Sequence, residues 1–208
     1  MDLYSFSQSS TAYRVRIALN IKRVAHRIIP VDLTQGAQLD PAFAAVNPAR
    51  AVPALVTDAG DTLTQSMAIL AWIEATYPNP PILPADPLER ARVEAAAQVM
   101  ACDVHPVNNL RIRKRLAAMG HEQEAVVDWM IHWMQDGFAA FQTMIRPDTP
   151  FAFGDAPSLA DICLVPQLFN ARRWQMDLAP FARLSEIEAR CLALPAFDAA
   201  RPENQKGA

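Results

Sequence analysis

The chain is poor in glycine and cysteine. Six glycines stand against seventeen prolines, which excludes Gly-rich flexible linkers and predicts stiff connections. The three cysteines, Cys102, Cys163 and Cys191, are odd in number, far apart and each set in an apolar helical pattern. That excludes a disulfide framework and predicts reduced, buried thiols in a cytoplasmic protein. No stretch approaches the ~18 uninterrupted apolar residues of a membrane span. An excess of positive charge is missing too. The formal net charge is -3, which argues against nucleic acid or an anionic membrane surface as the main partner. The opening Met1-Asp2-Leu3-Tyr4 has no basic region and reads directly as a strand, so no signal peptide is expected. Phosphate loop, dinucleotide fingerprint and Ser-His-Asp order are absent. His26, His121 and His132 have no cysteine or carboxylate partners at ligand spacing, and no metal is expected.

Half of the residues are apolar and the charged share is ordinary, so a packed core is expected. The first 77 residues alternate strand and helix: Leu3 to Phe6, a helix from Thr11 to Ile21, a strand from Arg27 to Val31, and a helical turn from Pro41 to Val46. A hairpin of Pro53 to Val56 and Thr62 to Thr64 follows, then a helix from Ser66 to Tyr77. This β-α-β-α-β-β-α order predicts a thioredoxin-like α/β domain over residues 1–78. Pro78, Pro80, Pro81, Pro84 and Pro87 cannot continue a helix, so 79–87 is read as a stiff linker. Every strong pattern after it is helical, which predicts an all-α domain over 88–208. Met130, Trp133, Met134, Gly137, Phe138, Phe141 and Ile145 follow the spacing of a buried helix face. Ser158-Leu159-Ala160-Asp161 has the form of a capping box, in which Asp161 reaches back to the Ser158 N–H. It is read as a folding element. The tail from Arg201 to Ala208 is expected to fray.

Three motifs carry chemistry. Val52-Pro53 at a strand start suits a rigid turn, and a cis bond there would turn the Val52 N–H and C=O toward an extended peptide. Gln65-Ser66 opens a helix, and the Ser66 hydroxyl with the first N–H groups makes a seat for a carboxylate. A backbone clamp beside an anion seat suits a small acidic peptide, of which glutathione is the common one. The loop Ser7-Gln8-Ser9-Ser10-Thr11 points hydroxyls and N–H groups toward an anion at the positive end of a helix dipole. A thiol with an ordinary pKa of ~8.5 is only a few per cent thiolate at neutral pH, so such donors are needed.

At these residues the chain resembles the glutathione transferases. Val52-Pro53-Ala54-Leu55 and Gln65-Ser66 are similar to that family at large. Ser9-Ser10-Thr11-Ala12-Tyr13-Arg14-Val15-Arg16-Ile17-Ala18-Leu19 resembles the zeta class, which includes maleylacetoacetate and maleylpyruvate isomerases. Cys102-Asp103-Val104-His105-Pro106-Val107-Asn108-Asn109 resembles the maleylpyruvate branch, and Asp161-Ile162-Cys163-Leu164-Val165-Pro166-Gln167 the zeta class generally. The likeness covers nearly the whole chain. Thr11 stands where the zeta family has a cysteine, and Gln8 where the maleylpyruvate branch has an arginine.

The resemblance implies the glutathione transferase fold, glutathione as cofactor, a homodimer, and cis–trans isomerisation of a maleyl dicarboxylic acid to its fumaryl form. It assigns thiol activation to Ser9, Ser10 or Thr11, and glutathione binding to Ser9, Thr11, Val52, Pro53, Gln65 and Ser66. His105 and Asn109 are further glutathione contacts, within one protomer or across the dimer. Arg173, the second arginine of Arg172-Arg173, matches the family's substrate-side arginine, and Arg111 matches another of the maleylpyruvate branch. Arg14 and Arg16 are expected to form structural ion pairs. Two other readings use the same residues: a transferase conjugating electrophiles, and a non-catalytic interaction protein of this fold.

Overall fold

The computed structural model describes residues 1–205. By its internal contacts the chain forms two units: Met1–Pro81 together with the segment from Leu192 onward, and Ile82–Cys191. The division falls inside the proline-rich stretch. The return of the last segment to the first unit is a feature that sequence spacing does not reveal.

In the first unit, β1 (Asp2–Ser5), α1 (Ser10–Ile21), β2 (Arg27–Pro30), α2 (Pro41–Val46), β3 (Ala54–Val56), β4 (Thr62–Thr64) and α3 (Ser66–Thr76) follow in the expected order. The sheet runs β2-β1-β3-β4. β1 pairs parallel with β2, Leu3 opposite Ile28, and antiparallel with β3, Leu3 opposite Leu55. β3 pairs antiparallel with β4, Leu55 opposite Leu63. This is the mixed sheet of a thioredoxin-like domain. Leu3, Leu55, Ile69, Leu70 and Ile73 are buried, and α1 is buried from Ala12 through Leu19. That includes Arg14 and Arg16, so α1 is a central helix rather than one with a single apolar face. The chain after Leu192 contributes α10 (Pro195–Asp198), which packs on α1.

The tail is ordered as far as it is described. Pro202–Asn204 forms a 3₁₀ turn, Asn204 Nδ2 donates to the Asp198 carbonyl at 2.8 Å, and Gln205 Nε2 donates to the Ala199 carbonyl at 2.9 Å. The expectation of fraying from Arg201 therefore does not hold through Gln205. The remaining three residues of that expectation lie outside the described ones.

The second unit is helical: α4 (Pro87–Gln98), a π-helical turn (Val99–Val104), α5 (His105–Val107), α6 (Leu110–Ala118), α7 (Gln123–Met144), α8 (Leu159–Arg173) and α9 (Ala182–Leu192), whose last residue lies in the first unit. Asp86 caps α4 through the Leu88 and Glu89 N–H groups. The apolar stripe of α7 is buried at Met130, Met134, Gly137, Phe138 and Phe141, while Trp133 is half-buried. Gly137 lies against the π turn so closely that an added Cβ would stand 2.1 Å from Val104 Cγ2. The absence of a side chain lets the two segments approach.

The capping box at the start of α8 forms. Asp161 is fully buried and accepts from the Ser158 N–H at 2.7 Å, the Ser158 hydroxyl at 2.8 Å and the Ala152 N–H at 2.8 Å. Three donors around one carboxylate tie the preceding loop to the helix start. Cys163 and Cys191 are buried, and burial pushes the Cys191 thiol pKa up. Cys102 departs from expectation: it is exposed, and its Sγ donates to Gln98 Oε1 one turn earlier. The π turn shifts the helical register there and carries Cys102 off the buried face.

Candidate functional site

The first unit brings the hydroxyl loop and the proline turn together. Ser9 is the N-cap of α1, and its Oγ accepts from the Ala12 N–H at 3.3 Å. Ser9 Oγ lies 2.9 Å from Thr11 Oγ1, which donates to the Val52 carbonyl at 2.9 Å. A hydroxyl has one proton and a carbonyl has none. With the Thr11 proton given to Val52, the Ser9 proton goes to Thr11. One relay therefore joins the helix N-terminus to the peptide unit of Val52. Ser10 is buried within the first turn of α1, whereas Ser9 and Thr11 are half-buried.

The Val52-Pro53 bond is cis. Val52 packs with Val31 and Phe43 in a small core. Buried Asn47 holds the approach to it: its Nδ2 donates to the Ala51 carbonyl at 2.6 Å and its Oδ1 accepts from the Ala49 N–H at 3.0 Å. Asn47 has no motif to announce it, since its partners are backbone groups of its own loop.

Gln65 is the N-cap of α3 at φ +66° and ψ +115°. A non-glycine residue there costs on the order of 1–3 kcal/mol, and such strain gathers at ligand-binding turns. Ser66 follows, buried, with its Oγ accepting from Arg14 NH1 at 3.3 Å. An oxygen that accepts from Arg14 keeps its own proton to donate, so the buried guanidinium orients the hydroxyl as a donor at a helix N-terminus. The sequence shows Ser66 but not its support, because Arg14 lies fifty-two positions away.

Arg16 differs from the expected ion pair. Its guanidinium donates to the Ala200 carbonyl at 2.9 Å, the Ser5 hydroxyl at 2.9 Å, the Phe6 carbonyl at 3.2 Å and the Ser7 carbonyl at 2.9 Å. Among the described residues no carboxylate pairs with it. Burial lowers its pKa to about 10, still far above neutrality. It ties the returning C-terminal segment to the loop that leads into Ser9.

The second unit holds the other candidates. Asn109 caps α6 through the Arg111 N–H at 3.2 Å, and its Nδ2 lies 3.3 Å from His105 Nε2. The π turn and the short α5 after it place these two side chains together. Arg111 is exposed on the first turn of α6. Arg172 pairs with buried Glu188 through Nε at 3.0 Å and through NH2. Its neighbour Arg173 has no carboxylate partner among the described residues. Instead its guanidinium carbon lies 5.2 Å from the Trp174 ring centroid, with that of Arg113 at 4.8 Å from the same ring. No sequence signal marks Arg113, because the link is made by an indole just past the end of α8. No cluster of metal-ligating side chains occurs among the described residues.

Comparison with known proteins covers both units. Residues 8–76 match the glutathione S-transferase N-terminal domain family. The maleylacetoacetate isomerase of Pseudomonas aeruginosa is 42% identical over 207 residues, 99% of this chain and 97% of that protein. A holo structure of a bacterial maleylpyruvate isomerase, described as a zeta-class glutathione S-transferase, superposes with a TM-score of 0.97 at 42% identity, covering 100% of both chains. The maleylacetoacetate isomerase of Methylobacterium extorquens, solved with malonate and glutathione bound, gives a TM-score of 0.95 at 37% identity over 100% of this chain and 99% of that one. With the relay at Ser9 and the cis turn at Pro53 in place, the chain belongs to the zeta class of the glutathione transferase family, in its maleylacetoacetate and maleylpyruvate isomerase branch.

Proposed function

We propose that this protein is a glutathione-dependent cis–trans isomerase of a maleyl dicarboxylic acid, either maleylpyruvate or maleylacetoacetate. The observation that carries the reading is the relay from Ser9 through Thr11 to the Val52 carbonyl, which couples a hydroxyl at a helix N-terminus to a peptide clamp. Val52 and Pro53 pair with the glutathione backbone, while Gln65 and Ser66 take a carboxylate of the tripeptide. Ser9, at the positive end of α1, donates to the sulfur and favours the thiolate. His105 and Asn109 add contacts to the tripeptide, within one protomer or across a homodimer. The cytoplasm, with its reduced glutathione, is the fitting location.

The thiolate adds to the cis carbon–carbon double bond, and the electron pair of that bond moves onto the conjugated carbonyl as an enolate. The former double bond, now single, rotates. Collapse of the enolate expels the thiolate and restores the alkene as trans, so one hard rotation becomes two easier steps. Glutathione is regenerated. Arg173 anchors a substrate carboxylate during the rotation, with Arg111 a second candidate, since guanidinium groups match carboxylates through paired hydrogen bonds.

The test is to supply each maleyl acid with glutathione and follow both compounds. Conversion to the fumaryl form with the thiol pool intact supports isomerisation. Loss of one thiol per substrate identifies a conjugating transferase instead.

A further inference from the structure

We propose that Arg113, stacked with Arg173 on Trp174, is a substrate-holding residue, and that the two guanidinium groups converge on the one carboxylate that stays fixed while the rest of the substrate rotates. This rests on the isomerase reading for the identity of the substrate, and on the geometry of the second unit for the site itself.

Arg113 stands on α6 and Arg173 ends α8, yet both guanidinium carbons lie within 5.2 Å of one indole centroid. The two charges are therefore no more than about 10 Å apart, close to one Debye length at ordinary ionic strength, and repel each other. The Arg113 pKa is lowered first by burial and then by the charge of Arg173. Several arginines of this unit meet acids: Arg90 with Glu94, Arg92 and Arg146 with Glu89, Arg172 with Glu188. Arg111, Arg115 and Arg190, which form no ion pair among the described residues, are exposed and lie against no aromatic ring. Among the described residues, neither Arg113 nor Arg173 has an ion pair or a hydrogen bond to its side chain. Two partly desolvated cations against one indole ring, with no anion supplied by the described residues, match an anionic ligand.

The indole does two things for such a site. Stacking fixes the plane of each guanidinium, so that its fork is presented in one orientation. It also leaves the N–H edges unspent, since a cation–π contact uses the face of the ion and no donor. A carboxylate has two oxygens, and each can accept from a separate guanidinium. That arrangement holds one end of a dicarboxylate rigidly and leaves the double-bond carbons and the far end free to turn.

The experiment uses the full chain saturated with glutathione. Malonate binding is measured by calorimetry, and KM by steady-state isomerisation, for wild type, Arg113→Gln, Arg113→Lys, Trp174→Leu and Lys114→Gln. Arg113→Gln should weaken malonate and raise KM by roughly 10- to 100-fold, the range for a lost charged hydrogen bond. Arg113→Lys should fall between, because it keeps charge without the fork. Trp174→Leu should weaken malonate although it removes no charge. Lys114→Gln, a charge change on the same helix, should leave both values within twofold, as should glutathione affinity in every variant. If Arg113→Gln stays within twofold of wild type on both measures, or if Lys114→Gln matches it, the inference is overturned. A wild type that binds no malonate at millimolar concentration overturns it as well. Malonate binding that depends on Arg113 in a protein with no isomerase activity would uphold the arginine pair while refuting the isomerase reading.

Discussion

Replacing Ser9 by alanine should raise the pKa of the bound glutathione thiol more than replacing Thr11 by valine. The relay explains the order. As the structure stands, Thr11 donates to the Val52 carbonyl and Ser9 donates to Thr11. Hydroxyl protons rotate freely, so the same two oxygens can support the opposite direction. When the tripeptide pairs with Val52, its N–H takes over the carbonyl, Thr11 turns its proton to Ser9, and Ser9 turns its own to the sulfur. Ser9→Ala then removes a hydrogen bond to an anion, worth ~1.5–3 kcal/mol. At ~1.4 kcal/mol per pKa unit, that is a rise of about one to two units. Thr11→Val removes only the neutral bond that polarises Ser9, worth ~0.5–1.5 kcal/mol, or about half a unit to one unit. Ser10→Ala should shift it little, since Ser10 is buried in the first turn of α1. The assay is the ultraviolet absorbance of the thiolate in the binary complex, titrated against pH. A Thr11→Val shift larger than that of Ser9→Ala would show that Thr11 is the direct donor. No shift in any of the three would leave the helix N-terminus alone responsible.

Ser66→Ala should weaken glutathione binding by roughly 1–3 kcal/mol, because a hydroxyl aimed by buried Arg14 is lost from a carboxylate seat; unchanged affinity by calorimetry in both Ser66→Ala and Gln65→Ala would remove the seat from this helix start. Arg173→Lys should lower isomerase kcat/KM by roughly one to two orders of magnitude while sparing glutathione binding, and an equal loss of both would make Arg173 structural. Asp161→Ala strips the acceptor from three buried donors and should cost about 3–5 kcal/mol in urea unfolding. A loss below ~1 kcal/mol would mean those donors find other partners.

Local signals were legible wherever the deciding partners are close in sequence. The β-α-β-α-β-β-α order follows from short apolar runs broken by prolines and by the Asp58-Ala59-Gly60-Asp61 turn, and the Ser158–Asp161 box spans a single helical turn. Ser9, Thr11, Val52 and Ser66 could be chosen by residue type and motif. Their connections could not. Thr11 reaches a backbone carbonyl forty-one positions away, and Arg16 reaches the Ala200 carbonyl across 184. Main-chain acceptors have no residue type, so no pattern marks them. For the same reason no pattern marks the last segment's return to the first unit or the order of Arg201 to Gln205. Cys102 is exposed, against the burial its apolar pattern suggests, because a π turn breaks the helical period there. Nothing in the sequence separates Arg113 from Arg111, since the distinction depends on where Trp174 lies in space.

The central claim is that glutathione acts as a cofactor. The most direct measurement follows isomerisation of maleylpyruvate and of maleylacetoacetate with glutathione supplied below the substrate concentration. Complete conversion to the fumaryl acid, with the free thiol concentration unchanged at the end, is the predicted result. Turnover that stops after one equivalent of glutathione is consumed, or that proceeds at full rate without it, would contradict the account.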